Sequence, residues 1–223
     1  MLNNLRVVIT GVCGSLGQAT AARARLSGAH VIGLDIVDTD SAANTDEYHK
    51  VDLMNREATL ACFEALGKVD VLINIAGGFA MGAEAFDTSS EQWDSMFRIN
   101  VDTMRNATMG AVPLIKAQGG GAIVNIGALG ALSGQASMSA YCCAKSSVMK
   151  LTESLSAELR HEGINVNAVL PSIIDTPPNR RDMPDADFSH WVTPAQLAEV
   201  ICFLASDAAG AIHGALIPVR GLS

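Results

Sequence analysis

Short β-branched runs, apolar on both faces, recur along this chain between longer helical stretches, and few folds can bury such strands. The runs cover residues 5–10 (LRVVIT), 30–34 (HVIGL), 69–73 (VDVLI), 122–126 (AIVNI) and 164–170 (INVNAVL), with shorter candidates at 49–51 and 215–219. A strand without a polar side must be covered above and below, as in a parallel sheet held between two helix layers. Helices are predicted between the runs, over residues 16–26, 56–66, 91–118, 140–162 and 194–206. Their ends are marked. Ser90 precedes Glu91, Thr193-Pro194 offers a cap followed by a proline at the first helical position, and Gly28, Gly67, Gly119 and Gly163 stand where helices should stop. The expected fold is α/β, a single-domain Rossmann-type doubly wound parallel sheet with helices on both faces, spanning residues 1–223. The stretch 175–187, rich in Pro and Asp, reads as a loop over the site.

Composition narrows the function. With 49% hydrophobic and 17% charged residues the chain can bury a substantial core, and with 4% aromatics that core is built from aliphatic side chains and close backbones. The formal net charge of −8, without a dense Lys/Arg run, disfavours nucleic acid and anionic membrane surfaces as partners. The N-terminus lacks the layout of a signal peptide, and no stretch is long and apolar enough for a membrane helix. A soluble cytoplasmic protein is expected. Cys13, Cys62, Cys142, Cys143 and Cys202 form an odd set without a CxxC pair, which points to reduced thiols. The five histidines lack ligand spacing, so no metal site is expected.

The first strand runs into Gly11-Val12-Cys13-Gly14-Ser15-Leu16-Gly17, where a helix opens. Glycines at such a junction permit a tight turn and let backbone N–H groups approach a pyrophosphate at the helix N-terminus. Asp35 closes the second strand. An acid there can accept hydrogen bonds from both adenosine ribose hydroxyls and would repel a 2′-phosphate, which favours NAD(H) over NADP(H). No Arg or Lys stands in the turn or in the few residues after Asp35. Tyr141 and Lys145, at i and i+4, share one helix face. An ammonium beside a phenol lowers the phenol pKa, so Tyr141 is the candidate general acid for hydride chemistry.

These motifs together resemble the short-chain dehydrogenase/reductase family over nearly the whole chain. Asn74-Ile75-Ala76-Gly77 is similar to the family's Asn-Asn-Ala-Gly, Asp52-Leu53 to its adenine-contacting pair, and Asn100 to its catalytic Asn, which holds a helix kink and a water. Pro171, Ile173 and Thr176 resemble its nicotinamide loop, with Ser172 in place of a Gly. The resemblance implies a cofactor set of Gly11, Gly14, Ser15, Leu16, Gly17, Asp35, Asp52, Leu53, Asn74, Ala76, Gly77, Tyr141, Lys145, Pro171, Ile173 and Thr176. It implies catalysis by Tyr141, Lys145 and Asn100, and a homodimer or homotetramer joined through the helices beginning near Glu91 and Ala140.

Two departures stand out. Ser15 occupies the middle glycine position, and Ala128 stands where the family places its catalytic Ser. Both are shared with dihydropteridine reductases, which this chain also resembles at Ala76-Gly77-Gly78-Phe79, in the Asp175-Thr176-Pro177-Pro178-Asn179-Arg180 segment and in residues 183–188 followed by Trp191. That group carries Trp where Phe79 stands and generally lacks Asn100. The implied activity is NADH-dependent hydride transfer to a small planar quinonoid or carbonyl substrate, with Phe79 and Ala128 on the substrate side. Ordinary alcohol dehydrogenation or 3-oxoacyl-type ketone reduction is the alternative within the enzyme class. A non-catalytic NAD-binding regulatory protein is the alternative outside it.

Overall fold

The computed structural model describes residues 1–39 and 42–223. The chain order is β1 (Arg6–Thr10), α1 (Ser15–Leu26), β2 (His30–Asp35), β3 (Glu47–Lys50), α2 (Arg56–Leu66), β4 (Val71–Asn74), α3 (Ser90–Phe97), a π-helical turn (Arg98–Asp102), α4 (Thr103–Ala117), β5 (Gly121–Ile126), α5 (Ser139–Leu159), β6 (Ile164–Pro171), α6 (Pro177–Asp182), α7 (Pro194–Leu204) and β7 (Leu216–Val219). Seven parallel strands form one sheet in the order β3-β2-β1-β4-β5-β6-β7. The chain therefore reverses its direction of travel across the sheet between β1 and β4. In open parallel sheets the crevice beyond the strand ends at that switch point is where ligands bind.

Alternate residues of each central strand feed two core layers. Val7, Ile9, Val31, Ile73 and Val124 pack on α1 and α7, while Val8, Ile32, Leu72 and Ile123 pack beneath α2, α4 and α5. Each fully buried Ile or Leu contributes on the order of 2 kcal/mol. A polar chain crosses the centre of the sheet: Asn74 donates to Asn125 (2.9 Å), Asn125 donates to the Thr152 hydroxyl (2.9 Å), and that hydroxyl donates to the Val148 carbonyl (2.8 Å). It ties α5 to β5 and β4 at a fixed height.

Two expectations need correction. The helix expected over 91–118 is broken by a π-turn at 98–102, where the Thr103 N–H donates to the Arg98 carbonyl across five residues. The 175–187 loop contains α6, opened by the Thr176 cap and a proline in its first turn. Among the described residues no helix is long and apolar enough to cross a membrane, and no group of three or more His, Cys, Asp or Glu is placed to hold a metal ion. The five cysteines are free thiols.

Candidate active site

The glycine turn lies at the switch point. Gly11 has φ +66°, and a Cβ on Gly17 would stand 2.2 Å from the Gly11 carbonyl oxygen, so α1 rests directly on the turn that precedes it. α1 starts at Gly14 without a side-chain cap, whereas α2, α3 and α7 are capped by Asn55, Ser89 and Thr193. The N–H groups of Ser15, Leu16 and Gly17 thus form an uncapped, positively polarised helix end, the arrangement that suits a dinucleotide pyrophosphate. Asp35 stands beside it. One carboxylate oxygen accepts the Cys13 N–H (2.9 Å), and the other accepts those of Ile36 (2.8 Å) and Val37 (3.3 Å). A carboxylate has about four acceptor sites, so fixing it this way still leaves capacity for a ribose diol.

The next wall is held from inside. The Thr10 hydroxyl accepts the N–H groups of Ile75 (3.0 Å) and Ala76 (3.1 Å), which bends the chain after β4 against the glycine turn. The Asn74 amide faces the sheet interior, so Asn74 contributes its backbone to the crevice. Asp52 folds back to accept the Met54 N–H (2.9 Å). Buried Leu53 uses its carbonyl to accept the Asn106 amide of α4 (2.9 Å).

At the other end Asn100 occupies the π-turn. Its amide nitrogen donates to the carbonyls of Met96 and Gly78 (3.0 Å each), and its oxygen accepts the Gly78 N–H (3.2 Å). The helix kink expected at Asn100 is this turn. A Cβ on Gly77 would lie 2.7 Å from the Asn100 side-chain oxygen and 3.4 Å from the Lys145 ammonium, so Gly77, Asn100 and Lys145 converge on one spot. Lys145 is 7% exposed and donates to the Ile126 carbonyl (2.8 Å), at the end of β5. Burial draws its pKa down to about 8.

Tyr141 behaves differently from the expectation that Lys145 lowers its pKa. Burial, followed by the neighbouring Cys142, pushes the phenol up to about 12. The Lys145 ammonium is held on the Ile126 carbonyl. Among the described residues no group hydrogen-bonds to the phenol. Phe79 meets its ring edge-on, with centroids 4.9 Å apart at 83°. Ala128 is 6% exposed and presents a methyl group where a hydroxyl was sought. Two nearby hydroxyls are engaged elsewhere, that of Ser139 with Thr88 (3.1 Å) and that of Ser146 with the Ala131 carbonyl (2.7 Å).

Residues 175–191 form a loop closed at its neck. Its neck is the bridge between Ile174 and Val192, in which the Asp175 N–H donates to Val192 and the Val192 N–H to Ile173. Arg180 donates twice to Asp175 (2.5 and 2.8 Å) and lies 4.7 Å over the Phe188 ring, which in turn packs on Trp191. Pro171 is buried at the end of β6, and the Thr176 hydroxyl caps α6. Sequence reasoning missed Thr10, Cys13 and Ile126, because each acts through a backbone group or on one. It also missed Lys50, which strand register sets opposite Asp35.

The comparisons with known proteins agree with this geometry. Residues 6–187 match the family model described as short chain dehydrogenase. The chain is 33% identical over 226 residues to a D-xylose 1-dehydrogenase of Caulobacter vibrioides, covering 97% of this chain and 85% of the relative. A ligand-free aldohexose dehydrogenase of Thermoplasma acidophilum superposes with TM-score 0.90 at 27% identity, over 99% of this chain and 94% of the other. A putative NAD(P)-dependent gluconate 5-dehydrogenase of Beutenbergia cavernae, with NADP bound at low occupancy, superposes with TM-score 0.88 at 29% identity, over 99% and 96%. A glycine turn under an uncapped helix, a tyrosine and a lysine one turn apart, and this match over most of the sequence lead to one conclusion: the chain belongs to the short-chain dehydrogenase family of oxidoreductases.

Proposed function

We propose that the chain is an NAD(H)-dependent reductase acting on a small planar quinonoid or carbonyl substrate, of the dihydropteridine reductase-like type. The nicotinamide cofactor supplies the hydride. Gly11, Gly14, Ser15, Leu16, Gly17, Asp35, Asp52, Leu53, Asn74, Ala76, Gly77, Tyr141, Lys145, Pro171, Ile173 and Thr176 would hold it. Asp35, fixed by three backbone donors, favours the unphosphorylated ribose. Tyr141 donates the proton. A phenol pushed up to about 12 stays protonated at neutral pH, which is the state a reductase needs of its acid. Asn100 holds the Gly77–Gly78 backbone in place, and Lys145 sets a positive charge beside it.

The observation that carries the substrate class is the pairing of Ala128 with Phe79. Losing one hydroxyl donor costs on the order of 10²–10³ in rate when a carbonyl must be polarised. A quinonoid ring gains conjugation on hydride addition and needs one proton donor. Phe79, 53% exposed and edge-on to Tyr141, offers an aromatic surface for such a ring. The named relatives favour a second reading, oxidation of an aldose or a related alcohol. Steady-state kinetics separates the two: quinonoid dihydropterins should exceed simple ketones and D-xylose by at least ~10-fold in kcat/KM, about 1.4 kcal/mol. On the preferred substrate, Ala128→Ser should bring no large gain. Robust aldose or ketone turnover with an inert dihydropterin would replace the first reading by the second.

The same reading includes self-association. Met104, Thr108, Met109, Val112, Leu151 and Leu155 line an apolar cleft of about 410 Å³ on the α4–α5 face, and these are the helices that the family resemblance pairs between subunits. A homodimer or homotetramer follows.

A further inference from the structure

The adenosine end of the crevice is shaped from β3 as well as from Asp35. Parallel pairing of β2 with β3 sets Tyr48 opposite Gly33 and Lys50 opposite Asp35. The half-buried Tyr48 hydroxyl donates to the Val37 carbonyl (2.6 Å), and the Cys13 thiol lies 4.0 Å from its oxygen. Val37 is thereby gripped at both ends, since its N–H already donates to Asp35. Cys13 links the same phenol back to Asp35 through its own N–H. One residue further along, Asp38 holds the Lys50 ammonium at 2.9 Å. Burial, the Cys13 thiol, and the charges of Asp35 and Asp38 all raise the Tyr48 pKa, so its hydroxyl remains a donor at any working pH.

Lys50 is the cation that a 2′-phosphate at Asp35 would call on, and Asp38 occupies it. We infer that Tyr48 is a positioning residue for cofactor selectivity: by gripping Val37 it keeps Asp35 aligned for the ribose diol and keeps Asp38 on Lys50. This rests on the NAD(H) reading above.

Tyr48→Phe preserves the ring and removes the grip. Fluorescence titration of the full chain with NADH and with NADPH should show NADH binding about 5-fold weaker, the scale of one neutral hydrogen bond, and NADPH binding at least ~3-fold tighter. The gain for NADPH should vanish in the double variant Tyr48→Phe/Lys50→Met. Asp38→Asn, a change at the exposed end of the pair, should give the gain for NADPH with Tyr48 intact. A merely structural role for the hydroxyl would weaken both cofactors alike, and that result overturns the proposal, as would dissociation constants unchanged within twofold. Tighter NADPH binding by the unmutated chain refutes the NAD(H) reading and this proposal with it. A ratio of NADH to NADPH affinity that Tyr48→Phe leaves unchanged refutes the proposal alone.

Discussion

Lys145→Met should show that this buried lysine is a burden to the fold. The ammonium is buried, and the gap between its ordinary pKa of 10.5 and about 8 amounts to roughly 3 kcal/mol set against the charge. Substitution also strips the Ile126 carbonyl of its donor at 2.8 Å, which costs roughly 1–3 kcal/mol. The net expectation at pH 7 is a variant as stable as the unmutated chain or up to about 2 kcal/mol more stable, a rise of a few degrees in Tm. The pH dependence isolates the charge. Between about 8 and 10.5 the unfolded chain binds more protons than the folded one, so the unmutated protein gains stability as pH rises through that window. The advantage of Lys145→Met is therefore full below pH 8 and lost by pH 10.5. Urea unfolding followed by circular dichroism, at equal protein concentration at pH 7 and pH 10.5, measures both quantities. Turnover should fall at least ~10²-fold over the same comparison. A variant destabilised by about 2 kcal/mol at both pH values would show that Lys145 is a net structural contributor and that the buried-charge argument is wrong.

Three further outcomes are expected. Tyr141→Phe keeps the edge contact with Phe79 and removes the proton donor, so turnover should drop by ~10² or more while NADH affinity, read by titration, stays within about threefold; full activity would identify another acid. Asp35→Ala removes the carboxylate that fixes the Cys13, Ile36 and Val37 N–H groups, so NADH should bind at least ~10-fold more weakly with discrimination against NADPH relaxed; an unchanged ratio of the two cofactors would rule Asp35 out as the selector. Light scattering at micromolar concentration should give a dimer or tetramer, and a monomer would mean that the α4–α5 face serves some other purpose.

The strands were legible because parallel strands are apolar on both faces, and β1, β2, β4, β5 and β6 lie where their β-branched runs stand. β3 is an edge strand with the sequence Glu-Tyr-His-Lys, so periodicity marked only its end. α6 hid behind Pro177-Pro178, although Thr176-Pro177 repeats the cap-and-proline signal that correctly opened α7. The π-turn was not anticipated, since one extra residue changes a single turn and leaves the composition of the helix as it was. In the candidate site, Asp35, Asn100, Tyr141 and Lys145 could be singled out from the sequence because the chemistry proposed for each is in its side chain. Those acting through tertiary approach were not. Lys50 reaches Asp35 only by register, and the pKa of Tyr141 follows from burial that no spacing reveals.

The π-turn also makes chain length at residues 98–102 a coded quantity. A π-turn accommodates one residue more than an α-helical turn, so deleting one residue there would close the segment into regular α-helix and remove the wide turn in which Asn100 stands. Asn100 would then leave Gly78. The segment can exchange many of its side chains but cannot lose one of its residues. Homologous chains should therefore vary in letters across this stretch and keep its count, and a gap placed here in an alignment marks either an error or an enzyme that has given up its Asn.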